Sequence, residues 1–432
     1  MPDTTATALP RLQSHRLSNL EIQSGTQAFV FPSYAGFSII NIPSTICRLF
    51  NIPGLGAEPL SNDLISPIRE MGDIRKIILI VVDALALHRL QRWMIDGTAP
   101  VWQNLADKGF FTAITSIVPS TTSAALTSLW TGRSPTEHGI TGYEMWMKEY
   151  GLVINTILHS PMSFKEDTGS LVKAGFDPQK FLAATTLGTH LESHNIPTFA
   201  LQHRSIISSG LSKMFFQDVK SQGFYSSSDL WVNLRQLLEN RQGERFYAYV
   251  YWSEIDSLGH RYGPDDERTA SEFSNLSHTF ERLFLNRLSR EARQDTLLLL
   301  TADHGQITTH RKPAFEVYQN EPFWQCLHIQ PTGENRLAYL YLRPGQSNAI
   351  SQVIEENWPG QFSLVSSAEA VEAGLFGPGT PHTSLLDRLG DTILVSRDTA
   401  YLWWGKEENH LVGRHGGLHP EEMLVPFLAV QL

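Results

Sequence analysis

A chain of 432 residues, 41% apolar and 18% charged, is long enough to bury a large core and ordinary enough in composition to be globular. Its formal net charge of −10 argues against a nucleic-acid duplex as partner, since that binding needs a concentrated basic surface. Two cysteines, Cys47 and Cys326, exclude a disulfide framework or a thiolate metal site. No apolar run reaches bilayer-spanning length and the N-terminus lacks the basic and apolar regions of a signal peptide, so the expectation is a cytoplasmic protein with no membrane contact.

In chain order, residues 1–75 are rich in Pro, Ser and Gly and read as an N-terminal arm with weak helices, packed on the next unit. From Lys76 the pattern alternates strand and helix. A strand runs to Asp83, and residues 87–108 carry helical spacing with Leu87, Leu90, Trp93 and Met94 on one face. A strand at 111–118 follows, then a helix at 185–194, a strand at 197–201 and a helix at 229–240. The segment 265–293 reads as one long amphipathic helix, marked by Phe273, Leu276, Phe280, Leu283 and Phe284. This alternation predicts an α/β fold with a mostly parallel central sheet and helices on both faces, spanning 76–310. Residues 311–390 break the rhythm and read as a smaller inserted lid subdomain. Residues 391–432 return to the core with a terminal strand at 423–430.

Three apolar runs end in an aspartate: Ile77 to Asp83, Phe246 to Asp256 and Leu297 to Asp303. Strand carboxyl ends open into the ligand crevice of such sheets. Three carboxylates at one edge, with His260 and His304 close by in sequence, would repel one another unless a cation sat among them. Between the first two runs lies Val118-Pro119-Ser120-Thr121-Thr122, followed by helical spacing at Ala125, Leu126, Leu129 and Trp130 and closed by Gly132. Thr121 or Thr122 therefore sits at a helix N-cap, where free N–H groups attract an anion. Such hydroxyls ordinarily only cap. Beside a divalent cation, one of them becomes a nucleophile.

These residues together resemble the alkaline phosphatase superfamily, closest to its nucleotide pyrophosphatase/phosphodiesterase branch. The match runs in order through Val82-Asp83, Pro119 to Thr122, Thr131 to Gly139, Asp256 to Pro264, Thr301 to Gly305 and His415-Gly416-Gly417. The resemblance implies two divalent metal ions, zinc or manganese, on hard oxygen and imidazole donors. Asp256, His260 and His415 would hold one ion; Asp83, Asp303, His304 and the Thr122 hydroxyl would hold the other. It implies Thr122 as nucleophile, a phospho-threonine intermediate, and a small phosphate ester or nucleotide as substrate. A phosphomonoesterase, a phosphonate hydrolase or a non-catalytic metal-binding module would share the same core.

The resemblance also calls for a phosphate-holding asparagine three residues after the nucleophile. Ala125 stands there, leaving the Ser123 N–H to serve instead. His410 and His419 compete with His415 for the ligand role, whose place just before the last strand favours it. Gly259 and Gly263-Pro264 imply a sharp turn around Asp256 and His260. His138 reads as structural, and Tyr143, Met145 and Trp146 as core or as an aromatic wall for a leaving group.

Overall fold

A computed structural model describes residues 3–163 and 168–432, so Met1 and Pro2 of the arm lie outside it. Its strands in chain order are β1 (Lys76–Val82), β2 (Phe110–Thr115), β3 (Glu144–Met147), β4 (Leu152–Asn155), β5 (Ser160–Pro161), β6 (Thr198–His203), β7 (Val219–Phe224) and β8 (Phe246–Trp252). They continue as β9 (Thr296–Thr301), β10 (Ile307–Thr308), β11 (Leu327–Glu334), β12 (Leu337–Leu342), β13 (Phe362–Ser366), β14 (Thr392–Ser396), β15 (Gly413–Arg414) and β16 (Leu424–Gln431).

The central sheet has the order β2-β16-β9-β1-β8-β6-β7. The pairs β1/β8, β1/β9, β6/β8 and β6/β7 are parallel, and β16 alone runs against its neighbours. Every residue of β1, β8 and β9 is buried, as continuous apolar strands covered on both faces should be. No helix among the described residues is long and apolar enough to cross a membrane.

Two expected helices are shorter than their periodicity suggests. The span 87–108 is two helices, Leu87–Ile95 and Pro100–Lys108: the chain turns at Gly97, φ 89°, after the first, and Pro100 opens the second. The span 265–293 is not one helix: the long helix covers Glu267–Leu283, Phe284 turns its ring into the core against Trp231, and a 3-10 turn Leu285–Arg287 and a short helix Arg290–Arg293 follow.

The arm contains helices Thr5–Ser14, Ile42–Leu49 and Asn62–Arg69. It docks where Ala57 N–H donates to Gly132 O at 2.7 Å. A Cβ at Gly56 would fall 2.2 Å from that oxygen, so glycine permits the approach.

A second, antiparallel sheet runs β13-β14-β12-β11-β3-β4-β5. It has its own apolar cluster, including Phe315, Phe323, Trp358 and Tyr401. Its strands come from 327–396 and also from 144–161, so the second layer is not one insertion bounded by 311 and 390. Strand β11 bonds to β3 through Gly333 and Glu144, bringing the loop after the Thr122 helix into this layer.

Candidate metal and nucleophile site

Strands β8, β1 and β9 lie side by side, and their carboxyl ends carry the acids to one edge. Asp83 directly follows β1 and is almost fully buried. The next residue, Ala84, has φ 60°, a left-handed conformation that costs a non-glycine residue about 1–3 kcal/mol. That turn aims its N–H at Asp303 Oδ1, 3.3 Å away. Asp303 lies two residues past the end of β9 and is fully buried. Asp256 does not end a strand: β8 stops at Trp252, and helix Glu254–Tyr262 carries Asp256 and His260 one turn apart. The expected sharp turn is therefore a helix, and Gly259 within it serves packing described below.

Helix Thr122–Thr131 starts at the same edge, with extended Thr121 as N-cap and left-handed Gly132 ending it. The first intrahelical bond is Ala125 N–H to Thr121 O at 2.9 Å, so the N–H groups of Thr122 and Ser123 precede the ladder. Ala125 itself is fully buried in the core and does not line the cleft.

Two donor groups face the helix start. In the first, Asp83, Asp303 and His304 each offer an atom within 4.8 Å of the others. Thr122 Oγ1 lies 3.1 Å from His304 Nε2. That nitrogen is also 3.4 Å from Asp83 Oδ1 and 3.6 Å from Asp303 Oδ2. The other ring nitrogen, Nδ1, donates to Gly305 O at 2.9 Å, so in the neutral ring the lone pair is on Nε2. Asp83 Oδ2 accepts from the Tyr251 hydroxyl, whereas Asp83 Oδ1 and Asp303 Oδ2 are buried with no hydrogen-bond partner among the described residues. Burial, then repulsion from Asp303 and Asp256, pushes the Asp83 carboxyl well above its ordinary range. Burial likewise raises Asp303, against the pull of His304.

In the second group, Asp256, His260 and His415 converge in the same way. His260 Nδ1 donates to Gly413 O at 2.8 Å and His415 Nδ1 to Ser120 O at 3.1 Å. Both Nε2 lone pairs therefore point at each other across 3.2 Å, with Asp256 Oδ1 at 3.3 and 3.8 Å. Burial, then His304 and His260, holds His415 well below the usual imidazole range, so it stays neutral. Inward lone pairs, an orphaned carboxylate oxygen on each of two aspartates and a hydroxyl form the donor set of hard cations. The residues fit such ions.

The competing histidines stand apart. His410 is exposed at the cleft rim, 3.8 Å from Glu408, and His419 accepts from Glu421 N–H at 3.2 Å to cap a short helix. His138 is buried, bonded to Ile140 N–H and 3.2 Å from Ser128 Oγ, closing the turn as expected.

A cleft of about 470 Å³ opens beside Thr122 and the second donor group. Tyr143, Trp403 and Trp404 form its aromatic wall, while Met145 is in the core. Glu334, unremarked in the sequence, enters from the tip of the β11–β12 hairpin and accepts from Tyr143 N–H at 2.8 Å. Burial pushes its carboxyl up to about 8. Tyr251 and Gln306 were equally silent, since only the folded chain sets them against Asp83 and Asp256.

Among solved structures, the fold is similar to murine ectonucleotide pyrophosphatase/phosphodiesterase 5, at 17% identity and TM-score 0.60, over 82% of this chain and 88% of that one. It is also similar to phosphonoacetate hydrolase from Sinorhizobium meliloti 1021, at 19% identity and TM-score 0.59, over 82% and 89%. The family model for type I phosphodiesterase/nucleotide pyrophosphatase matches residues 77–418, a span that holds β1, the Thr122 helix and both donor groups. With that match over most of its length, the chain belongs to the type I phosphodiesterase/nucleotide pyrophosphatase family.

Proposed function

We propose that this protein hydrolyses a small phosphate diester or nucleotide, with Thr122 as nucleophile and two divalent cations, zinc or manganese. The observation that carries the reading is the Thr122 hydroxyl at a helix start, 3.1 Å from His304 Nε2, on a residue that lines one cleft with Asp256, His260 and His415. Asp83, Asp303, His304 and the Thr122 hydroxyl would hold one ion, and Asp256, His260 and His415 the other. Bound there, the cations would lower the hydroxyl's pKa and offset charge on the phosphoryl and leaving oxygens.

Thr122 Oγ forms its bond to phosphorus as the ester oxygen leaves, and a water then hydrolyses the phospho-threonine, restoring the hydroxyl. The N–H groups of Thr122 and Ser123 face the phosphoryl oxygens at the helix N-terminus. Tyr143, Trp403 and Trp404 offer the leaving group flat apolar surfaces. The second sheet then acts as a cap that sets substrate choice.

Among the described residues lining the cleft, the only guanidinium is that of Arg414. Its Nη1 and Nη2 are engaged by Thr309, Leu411 and Asn409, and its Nε is buried out of reach of the cleft. A doubly charged monoester would lack a clamp, which favours the diester. The relatives in fold were solved with AMP and with phosphonoformate, so a phosphonate is the second reading.

The test is hydrolysis of bis(p-nitrophenyl) phosphate against a monoester and a phosphonate, with and without chelator. Thr122→Ala and metal stripping should each cost at least about 1000-fold, or about 4 kcal/mol of barrier. Turnover surviving both would refute the reading.

A further inference from the structure

Gln306 lies two residues after His304, so one short segment runs from the first donor group to the second. It is fully buried. Its Nε2 donates to Asp256 Oδ1 at 2.9 Å and, at 3.4 Å, to the Asp256 carbonyl. Asp256 Oδ1 is also the oxygen that faces His260 and His415. The amide therefore occupies one side of that oxygen and leaves the other aimed between the two imidazoles. A carboxylate only accepts, which assigns the nitrogen of the amide to this contact.

The other end of the amide is unusual. Gln306 Oε1 is buried without a hydrogen-bond partner among the described residues, a costly arrangement for a side chain that merely fills space. Two glycines make room for it. A Cβ at Gly259 would fall 1.8 Å from Oε1, and one at Gly413 would fall 2.8 Å from it. Gly259 belongs to the helix of Asp256 and His260, and Gly413 O accepts from His260 Nδ1. Both segments of the second donor group, the helix of Asp256 and His260 and the stretch leading to His415, thus meet at this amide.

We infer that Gln306 is a positioning residue: it orients Asp256 for the second cation and ties that group's geometry to the segment bearing Asp303 and His304. The inference rests on the two-cation reading proposed above. Loss of a partner that orients a metal ligand weakens metal affinity by about 10–100-fold.

The experiment is calorimetric titration of chelator-stripped protein with Zn²⁺, for the parent, Gln306→Met and Gly259→Ala, with thermal melts alongside. The parent should show two binding steps. In Gln306→Met, one step should weaken about 10–100-fold while the other changes less than about threefold. Gly259→Ala keeps the amide but displaces it, and should give the same pattern. It decides the matter if Gln306→Met does not fold. Unchanged binding in both variants, or equal weakening of both steps with a lowered melt, would overturn the inference. A parent that binds no Zn²⁺ would instead overturn the two-cation reading on which it stands.

Discussion

Arg336 and Glu422 form a fully buried ion pair joining the second sheet to the loop that carries His415. Arg336 Nε and Nη2 donate to the two carboxylate oxygens at 2.8 and 2.9 Å. The same oxygens accept from Gly417 N–H at 2.9 Å and His419 N–H at 3.2 Å. Removing one member of such a pair strands the other without water, at about 3–5 kcal/mol. The two halves are not equivalent. Arg336→Met leaves a carboxylate still holding two backbone donors, which places it at the lower end of that range. Glu422→Leu leaves a guanidinium with only the Ala400 carbonyl and orphans two N–H groups, which places it at or above the upper end. With about 2.1 cal/mol/K of unfolding entropy per residue, a 4 kcal/mol loss in a chain of this size lowers the melting temperature by about 4–5 °C. Urea denaturation in chelator isolates the term from any metal contribution. The Arg336→Met/Glu422→Leu double variant should be more stable than the sum of the single losses by about 2 kcal/mol or more, because it strands no charge. Additive losses, or an Arg336→Met protein within about 0.5 kcal/mol of the parent, would refute the argument.

Two further outcomes are expected. The Glu334 carboxyl is pushed up to about 8, so the folded state binds its proton more tightly than the unfolded chain does. Metal-free protein should therefore lose stability as pH rises from about 4.5 through 8, by at most about 1.4 kcal/mol per pH unit from this group. Glu334→Gln retains an acceptor for Tyr143 N–H. It should match the parent near pH 4.5 and exceed it above pH 8, as pH-dependent melts would show; equal slopes would contradict this. Tyr251→Phe removes the donor to Asp83 Oδ2 and should weaken one cation step about tenfold, on the Asp83 side, in competition with a chromogenic chelator. Unaltered competition would exclude that role for the hydroxyl.

The parts legible in the sequence were those with a local signature. Ile77 to Val82 and Leu297 to Leu300 announce buried parallel strands, and an aspartate just past each is a strand-end group whatever the rest of the chain does. The hydroxyl run before Ala124 and Gly132 after Thr131 bracket a helix by capping chemistry alone. What misled was glycine. Gly259 and Gly263 suggest a turn, yet Gly259 sits inside a helix because a neighbouring amide needs its missing side chain. Strands β3 to β5 were invisible for another reason. They are two to four residues long, too short for an alternating pattern to stand out, although β3, β4 and β5 pair locally, and the link that joins them to the second sheet, Gly333 with Glu144, lies far along the chain. Glu334 and Gln306 owe their surroundings to the same long-range contacts.

The reversed strand β16 sits between β2 and β9, so the last strand in the sequence is wedged into the interior of the sheet rather than added at its rim. During synthesis, β2 must wait with one side unpaired until β16, far along the chain, has emerged. The distance along the chain between these partners makes their joining an entropically expensive, slow event. His415 precedes β16 by only a few residues, so the loop bearing it is anchored at about the moment this slot is filled. The second donor group would then be completed only as the sheet closes around β16.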